Sequence, residues 1–330
     1  MSGAAPIGVL GGGAWGTALA QVLASGGDDV LLWARNASVV DAINMRHENP
    51  AYLPGRPLSP LIRATRDPAA LRMARLLLVV TPSQHMRAVL SGFSAEAQPL
   101  ILCSKGIEAS TRQFMHQVAR EAMPGSPVAV LSGPTFAHEV TDGLPTAVTL
   151  AAEEEAQARL LADVIARPTF RPYASDDLVG AQIGGAVKNV LAIACGVVAG
   201  AGLGQNARAA LIARGFAEMT RFGLAMGARP ETLAGLSGLG DLVLTCTSDR
   251  SRNFALGMGL GEGQAADALL ANRHTVAEGA FTAPVLLDMA QTYGIDMPVT
   301  AAVCDLLSGA RGVADVVAAL LARPLRTEQG

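Results

Sequence analysis

The first half of the chain alternates short apolar runs with segments of helical spacing. Continuous apolar runs are typical of strands buried on both faces of a sheet, and they predict strands at 7–10, 30–33, 76–80, 100–103, 128–131 and 147–150. Helical patterns fall between several of these runs, at 17–24, 112–122 and 153–165. Strands that alternate with helices indicate a mostly parallel sheet with right-handed crossovers. We therefore predict an α/β fold for this half.

The second half shows helical spacing and no strand pattern after about residue 178. It predicts helices at 178–201, 207–226, 267–270, 283–293 and 300–307, with Gly or Pro near their ends. No internal repeat and no low-complexity linker interrupts the chain. We therefore expect two domains, an α/β domain over 1–185 and an all-α domain over 186–330.

The composition narrows the classes of function. Half of the 330 residues are hydrophobic and 16% are charged, which indicates an ordered chain with real cores. The formal net charge of −3 offers no basic field for a phosphodiester backbone, so we expect no nucleic-acid partner. The longest uncharged stretch, 189–207, contains four glycines and three amides, which favours a buried helix over a membrane span.

The remaining composition argues against metals, disulfides and export. The four cysteines are far apart and form no CxxC pair, and the five histidines show no ligand or triad spacing. Residues 1–10 lack the basic start and apolar core of a signal peptide. We expect neither a disulfide framework nor a metal site.

A glycine-rich loop connects the first predicted strand to the first predicted helix. Gly11-x-Gly13-x-x-Gly16 is the dinucleotide fingerprint in its required context. The first Gly permits the tight turn, the second permits approach to a pyrophosphate, and the third permits packing of the helix on the strand. The helix N-terminus supplies free N–H groups to the anion. The loop predicts nucleotide binding by a Rossmann-type domain.

The end of the second strand bears on which nucleotide is bound. NAD-selective sites usually carry an acid there for the ribose 2′-hydroxyl, whereas an Arg suits a 2′-phosphate. Residues 33–36 are Trp-Ala-Arg-Asn, without an acid. Arg35 therefore favours NADP over NAD.

Lys105 and Lys188 are the only lysines in the chain, and the other 23 of its 25 Lys and Arg residues are arginines. A buried Lys can release a proton near neutral pH and an Arg cannot, so both lysines are candidates for chemistry. Lys105 follows a predicted strand, at the edge where open parallel sheets bind ligands. The loop 132–135 follows another strand and carries hydroxyls suited to polar groups of a substrate.

Lys188 precedes the long uncharged stretch, which we interpret as placing it at the head of a helix. Small and apolar neighbours would desolvate its ammonium and lower its pKa. Such a group suits proton transfer to a carbonyl oxygen.

Polar clusters also interrupt the apolar helical half. Ser251-Arg252-Asn253 offers a forked donor with hydrogen-bonding neighbours, which is suited to gripping a phosphate. Gly238-Leu239-Gly240-Asp241 and the segment around Glu278 are weaker signals when taken alone.

Six motifs, taken in order, resemble one family. They are Gly11-x-Gly13-x-Trp15-Gly16-Thr17-Ala18, Ser104-Lys105-Gly106, 132–137 (SGPTFA), 185–189 (GAVKN), 238–242 (GLGDL) and 251–253 (SRN). Together they resemble the bacterial NAD(P)-dependent glycerol-3-phosphate dehydrogenases, and the resemblance covers residues 7 to about 300. One departure is Ala14, where many members have Ser. This change removes a hydroxyl near the pyrophosphate and leaves the backbone donors in place.

The resemblance implies reversible reduction of dihydroxyacetone phosphate to sn-glycerol 3-phosphate, which supplies glycerophospholipid synthesis in the cytoplasm. It implies that Lys188 is the catalytic acid/base. It implies that the substrate is held by Lys105, Gly133, Thr135, Lys188, Asp241, Ser251, Arg252 and Asn253. It implies that NADP or NAD contacts Gly11, Gly13, Ala14, Trp15, Gly16, Arg35, Lys105, Ala137, Arg252, Val276 and Glu278. A homodimer is also expected.

Two alternatives stay open at this point. A related two-domain NADP-dependent dehydrogenase that acts on a β-hydroxy acid also uses a Lys-Asn pair at a helix head. A catalytically silent NADP-binding regulator is the alternative from a different class. The placement of both lysines at expected ligand surfaces argues against the regulator.

Overall fold

The first half is built on an eight-stranded sheet. The structure, a computed structural model, describes residues 4–93, 97–271 and 277–323. Its strands are β1 (Ile7–Leu10), β2 (Val30–Trp33), β3 (Glu48–Asn49), β4 (Leu53–Pro57), β5 (Ile62–Thr65), β6 (Leu76–Val79), β7 (Leu100–Leu102), β8 (Val128–Ser132), β9 (Thr146–Ala152) and β10 (Phe170–Ser175). The sheet order is β10-β9-β8-β7-β6-β1-β2-β5, and β3 pairs separately with β4.

The pairing brings the functional loops to one edge of the sheet. Within the eight-stranded sheet, every pair of neighbouring strands is parallel except β8 and β9. Ile7 on the central β1 lies opposite Val30 and Leu76. The strands β1, β2, β5, β6, β7 and β8 therefore share a direction, and the segments that follow them emerge at a common edge.

Two hydrophobic clusters cover the two faces of the sheet. Alternate residues of β6 supply them: Leu76 and Leu78 lie in one cluster, and Leu77 and Val79 lie in the other. Because both faces are covered, the strand reads as a continuous apolar run. The helices that follow the strands are α1 (Ala14–Ser25), α2 (Ala37–Arg46), α3 (Ser83–Ser91), α4 (Met115–Ala122), α5 (Ala137–Thr141) and α6 (Glu155–Ile165), with a 3-10 turn at Pro68–Met73.

The second half is built of helices joined by short loops in its described residues. Its helices are α7 (Leu178–Gly200), α8 (Gly204–Ala225), α9 (Pro230–Ala234), α10 (Asp241–Cys246), α11 (Arg252–Gly261), α12 (Ala266–Ala271), α13 (Glu278–Thr292), α14 (Pro298–Ser308) and α15 (Val313–Leu321). A π-helical turn at Leu236–Gly240 leads into α10.

The long apolar helix α7 is a core element. Within the described ranges it is the one helix long and apolar enough to cross a membrane, yet 89% of its most apolar window is buried inside the protein. Its glycines permit close packing: a Cβ on Gly196 would lie 2.1 Å from the backbone oxygen of Phe254 on α11. The glycines of α7 therefore allow its backbone to pack directly against the backbone of α11.

The chain forms two compact units. The first unit ends at Gly185 and also takes in Ala228–Asp241, and the second unit comprises Ala186–Gly227 and resumes at Leu242. Asp177 ties the returning segment into the first unit, because its carboxylate accepts from the backbone N–H groups of Gly180 and Arg229, each at 2.8 Å. The sequence-based division at 185/186 did not predict that residues 228–241 belong to the first unit.

The predicted strands are confirmed to within a residue or two at each end, and the mostly parallel α/β half followed by a helical half is confirmed. Strands β5 and β10 were not predicted, because β5 is a short edge strand and β10 contains Pro172 and partly exposed positions. The predicted start of α13 at 283 is wrong. The helix begins at Glu278 and continues through Pro284, whose missing N–H costs one backbone bond.

Candidate active site

The loop after β1 has the form that a dinucleotide pyrophosphate requires. Gly11 has a φ of 134°, and a Cβ on Gly16 would lie 1.8 Å from the oxygen of Gly11. Gly13 caps α1 without any side-chain hydrogen bond, and nothing lies within 4 Å of where its Cβ would be. The loop is therefore tightly packed beneath and open above Gly13, and its residues fit a bound pyrophosphate at the N-terminus of α1.

Asn49 supports this loop and was not predicted. Its side chain is fully buried, and its Nδ2 donates to the oxygen of Gly12 at 3.0 Å and to Oγ1 of Thr17 at 2.8 Å. The donor comes from the small β3–β4 pair, which the apolar pattern did not indicate. Asn49 therefore connects the backbone of the glycine loop to the start of α1.

The other residues predicted to contact the cofactor are divided between the two units: most belong to the first unit, whereas Arg252 and Glu278 belong to the second. Arg35 is exposed, two residues after the end of β2, and Ala14 and Trp15 lie in the first turn of α1. Ala137 begins α5, which packs against α1. Val276 lies outside the described residues.

Lys105 is part of a hydrogen-bonded cluster at the carboxyl edge of the sheet. Its Nζ donates to Oδ2 of Asp241 at 2.7 Å and to the oxygen of Gly133 at 3.2 Å. Thr135 Oγ1 also donates to the Gly133 oxygen, at 3.3 Å. Asp241 is fully buried, whereas 16% of the Lys105 side chain is exposed. Four of the predicted substrate residues are thus brought together, and one of them arrives on the returning segment.

The loop that carries Lys105 is fixed by side chains of α3. Gln84 donates through Nε2 to the oxygen of Ile107 at 2.7 Å, and Arg87 pairs with Glu108 at 2.8 Å. Hydrogen bonding from the Arg87 guanidinium holds the pKa of Glu108 below its ordinary value. Ser104 Oγ donates to the oxygen of Thr81 at 2.5 Å. These contacts hold the backbone around Lys105 in one conformation.

Lys188 is buried in the second unit, with 6% of the residue exposed. Its Nζ donates to Oγ1 of Thr245 at 3.0 Å. The expectation that Lys188 stands at the head of a helix is wrong, because α7 begins ten residues earlier, at Leu178. The uncharged stretch 189–207 covers the later part of α7 and the beginning of α8. Lys188 therefore emerges from the middle of α7, where the helix backbone fixes its position.

A chain of amides continues from Lys188 to two other helices. Asn253 Nδ2 donates to Oδ1 of Asn189 at 3.0 Å, and Asn253 Oδ1 accepts from the N–H of Gly279 at 3.0 Å. Glu278 precedes this contact as the first residue of α13. Asn253 is therefore hydrogen-bonded to Asn189, the residue after Lys188, and Glu278 lies next to the residue that donates to Asn253.

The N-terminus of α11 presents Arg252. Ser251 caps the helix by accepting from the N–H of Phe254 at 3.3 Å, and Arg252, the first residue of the helix, is exposed. A guanidinium beside a helix N-terminus combines two groups that attract an anion.

Asn189 and Thr245 belong to the site but were not predicted as site residues. Asn189 follows Lys188 in the motif 185–189 (GAVKN), and Thr245 is four residues after Asp241, on the same face of α10. Over 4–93, 97–271 and 277–323, no group of three or more His, Cys, Asp and Glu side chains is arranged to hold a metal ion.

The glycine loop at the first βα turn and the buried lysine of the helical half define a two-part NAD(P)-binding oxidoreductase. Two family models match the chain: "NAD-dependent glycerol-3-phosphate dehydrogenase N-terminus" over residues 6–158 and the corresponding "C-terminus" over 177–318. The chain belongs to the NAD-dependent glycerol-3-phosphate dehydrogenase family.

Relatives match over nearly their whole length. A glycerol-3-phosphate dehydrogenase [NAD(P)+] of Novosphingobium aromaticivorans is 63% identical over 98% of both chains. A Sphingopyxis alaskensis relative of the same name is 62% identical over 97% of both chains. The crystal structure of glycerol-3-phosphate dehydrogenase from Coxiella burnetii, 38% identical, superposes with a TM-score of 0.91 over 97% of this chain and 99% of that chain.

Proposed function

We propose that this chain catalyses the reversible, NAD(P)H-dependent reduction of dihydroxyacetone phosphate to sn-glycerol 3-phosphate. In the cell this reaction supplies the glycerol backbone of phospholipids, and we place it in the cytoplasm. The observation that carries the proposal is the pair of hydrogen-bonded clusters around the two lysines. Lys105 is held by Asp241 and Gly133, and Lys188 is held by Thr245, within a chain of this family.

The first domain, 1–185, is proposed to bind the nucleotide, and the helical domain, 186–330, is proposed to bind the substrate. The reduced nicotinamide supplies the hydride. The open position at Gly13 and the N-terminus of α1 receive the pyrophosphate, while Arg35 selects for the 2′-phosphate of NADP. Trp15 in the first turn of α1, Ala137 at the start of α5 and Glu278 at the start of α13 are proposed as further cofactor contacts. The same role is proposed for Val276, which lies outside the described residues.

Lys188 is the proposed general acid of the reduction. Its Nζ donates a proton to the ketone oxygen as the carbon becomes an alcohol, and it accepts that proton in the reverse direction. Thr245 Oγ1 holds Nζ in place, and the Asn189–Asn253 hydrogen bond fixes the helix segment beside it. Burial of Lys188 keeps bulk water away from this proton transfer.

Arg252 is proposed to bind the phosphate of the substrate, with help from Ser251 and Asn253. A guanidinium takes two phosphate oxygens at once, and a charge-assisted contact is stronger than a neutral one. Binding energy from the phosphate contact, away from the reacting carbonyl, helps to orient that carbonyl. Lys105, Gly133, Thr135 and Asp241 hold the hydroxyl end of the substrate, with the Lys105 ammonium as its polar donor.

A panel of carbonyl substrates tests the proposal. Purified protein with NADPH should consume the cofactor with dihydroxyacetone phosphate, and it should consume little with β-keto or other carboxylate substrates. Faster turnover of a carboxylate substrate would favour a β-hydroxy acid dehydrogenase instead. Tight NADPH binding without oxidation on any substrate would indicate a regulator.

The assembly is proposed to be a homodimer. Light scattering of the purified protein should give twice the chain mass of 33.8 kDa. A mass of one chain at micromolar concentration would contradict this part of the proposal.

A further inference from the structure

The segments that follow β2 and β5 leave the sheet side by side. These strands are parallel neighbours, Trp33 lies opposite Thr65, and the N–H of Ala34 donates to the oxygen of Thr65 at 3.0 Å. Neighbouring strands in a sheet lie about 4.8 Å apart. Continuing this register places Arg66 opposite Ala34, so Arg35 and Arg66, the first arginines after the two strands, are offset by one residue at the same edge.

The backbone of Arg66 is fixed although its side chain is exposed. The indole Nε1 of Trp33 donates to the oxygen of Arg66 at 3.0 Å. The next residue, Asp67, donates from its N–H to Thr65 Oγ1 at 3.0 Å and caps the following turn by accepting from Ala69 at 2.9 Å. The Asp67 carboxylate is thus engaged with backbone, and neither Arg35 nor Arg66 forms an ion pair with any residue that the structure describes.

Two adjacent arginines match the charge of a phosphate monoester. Such a group carries a charge of about −1.5 to −2 at neutral pH and presents three acceptor oxygens. One guanidinium fork occupies two of these oxygens, which leaves acceptor capacity for a second fork. The N-terminus of α2, capped by Asn36 directly after Arg35, adds a favourable dipole at the same place.

We propose that Arg66 is a second ligand of the 2′-phosphate of NADP(H), acting with Arg35. This inference rests on the proposed preference for NADP and deepens it by naming a residue on the neighbouring strand. A site built from two strands discriminates NADP from NAD more strongly than one arginine could, because loss of either side chain leaves only part of the charge matched.

The test measures binding of cofactor fragments by calorimetry, without turnover. Adenosine 2′,5′-bisphosphate and 5′-AMP differ only in the 2′-phosphate. With Arg66→Ala, we expect bisphosphate affinity to fall roughly tenfold, the range of a charge-assisted contact at an exposed site. Affinity for 5′-AMP should change less than about twofold. Arg66→Lys should retain part of the bisphosphate affinity because it keeps the charge.

Arg63→Ala is the matched control, since Arg63 is an exposed arginine of β5 that lies before the carboxyl end of that strand. It should leave both affinities unchanged. If Arg66→Ala behaves like Arg63→Ala while Arg35→Ala weakens the bisphosphate, the role of Arg66 is overturned and the NADP preference stands. Equal losses for both fragments with Arg66→Ala would also overturn it. If the unaltered protein binds both fragments equally, the 2′-phosphate site and the NADP preference both fail.

Discussion

At the scale of single residues, the two lysines are held in different ways. Lys105 forms an ion pair with the buried carboxylate of Asp241, and Lys188 donates to the hydroxyl of Thr245. The ion pair fixes the position of the Lys105 ammonium, which suits binding of a polar group. Lys188 is buried, and a buried lysine can exchange a proton with a substrate out of contact with bulk water. Under the proposed function, Lys105 positions the substrate and Lys188 transfers the proton.

Replacement of Lys188 separates a role in charge from a role in proton transfer. Lys188→Arg keeps the charge but cannot release a proton, because the guanidinium pKa stays above about 12. We expect kcat with dihydroxyacetone phosphate to fall by about 10²–10⁴-fold, the range of general acid catalysis. Lys188→Met should fall by a similar factor. Initial rates at saturating NADPH give the measurement.

A binding control accompanies these variants. Both should bind NADPH as the parent does, which fluorescence titration checks, because the glycine loop belongs to the first unit. A Lys188→Arg protein that keeps half of the parent kcat would disprove the proton-transfer role and make Lys105 the next candidate.

Replacement of Arg252 tests recognition of the substrate phosphate. Arg252→Ala should lower kcat/KM for dihydroxyacetone phosphate by about ten- to a hundredfold, since a charge-assisted contact contributes roughly 1.5–3 kcal/mol. Unphosphorylated dihydroxyacetone, already a poor substrate, should lose much less. Equal losses on the two substrates would show that Arg252 does not contact the phosphate.

Scarcity identified both lysines in the sequence, and strand ends located Lys105 and Arg35. Their partners could not be found in the same way. Thr245 lies 57 positions from Lys188, and Asp241 lies 136 positions from Lys105, so only the fold brings them together. A threonine or aspartate in a helical segment has no local signal that indicates such a contact.

At the scale of elements, continuous apolar runs predicted the central strands because those strands are covered on both faces. The edge strands β5 and β10 carry alternating or exposed residues, and the run of apolar positions that marks a buried strand is missing there. The β3–β4 pair, with two residues in β3, is too short to show a period, and it nevertheless carries Asn49. Sequence patterns thus located the loops proposed to bind ligands, but not the element that supports the glycine loop.

Asn49 allows a test of that support. Asn49→Ala removes two buried hydrogen bonds, to Gly12 and to Thr17. We expect a loss of about 1–3 kcal/mol in the free energy of unfolding, because the Gly12 oxygen and the Thr17 hydroxyl lose a buried partner. NADPH affinity should fall as well, while kcat at saturating NADPH should change little. Urea unfolding and cofactor titration measure the two effects.

Thr17→Val is a suitable companion to this variant, since it removes one of the two contacts and keeps the shape. It should produce a smaller effect of the same kind. Unchanged NADPH affinity in a destabilised Asn49→Ala protein would limit Asn49 to a role in folding.

At the scale of the whole molecule, Glu218 makes stability depend on pH. This buried residue of α8 accepts from the N–H groups of Val299 and Thr300 at the start of α14, at 2.6 and 3.2 Å. Burial nevertheless raises the pKa of its carboxyl to about 7. The folded protein thus holds this proton more tightly than the unfolded chain. The resulting stabilisation is complete below the ordinary pKa of 4.5 and is lost as pH rises to about 7.

The matched variant is Glu218→Gln, which cannot ionise. Between pH 5 and pH 8 the parent should lose up to about 3 kcal/mol more stability than the variant. Urea unfolding of both proteins at several pH values measures this difference, and contributions from other carboxyl groups cancel in the comparison. Parallel pH dependences in the two proteins would show that Glu218 has an ordinary pKa.

The chemistry of the complete enzyme is tested most directly by the identity and amount of its product. With NADPH and dihydroxyacetone phosphate, the protein should form one sn-glycerol 3-phosphate for each NADPH oxidised. In the reverse direction, NADP should be reduced with sn-glycerol 3-phosphate and not with its mirror image, sn-glycerol 1-phosphate. NADPH oxidation that leaves dihydroxyacetone phosphate unconsumed, or a product of the opposite hand, would contradict the proposed activity.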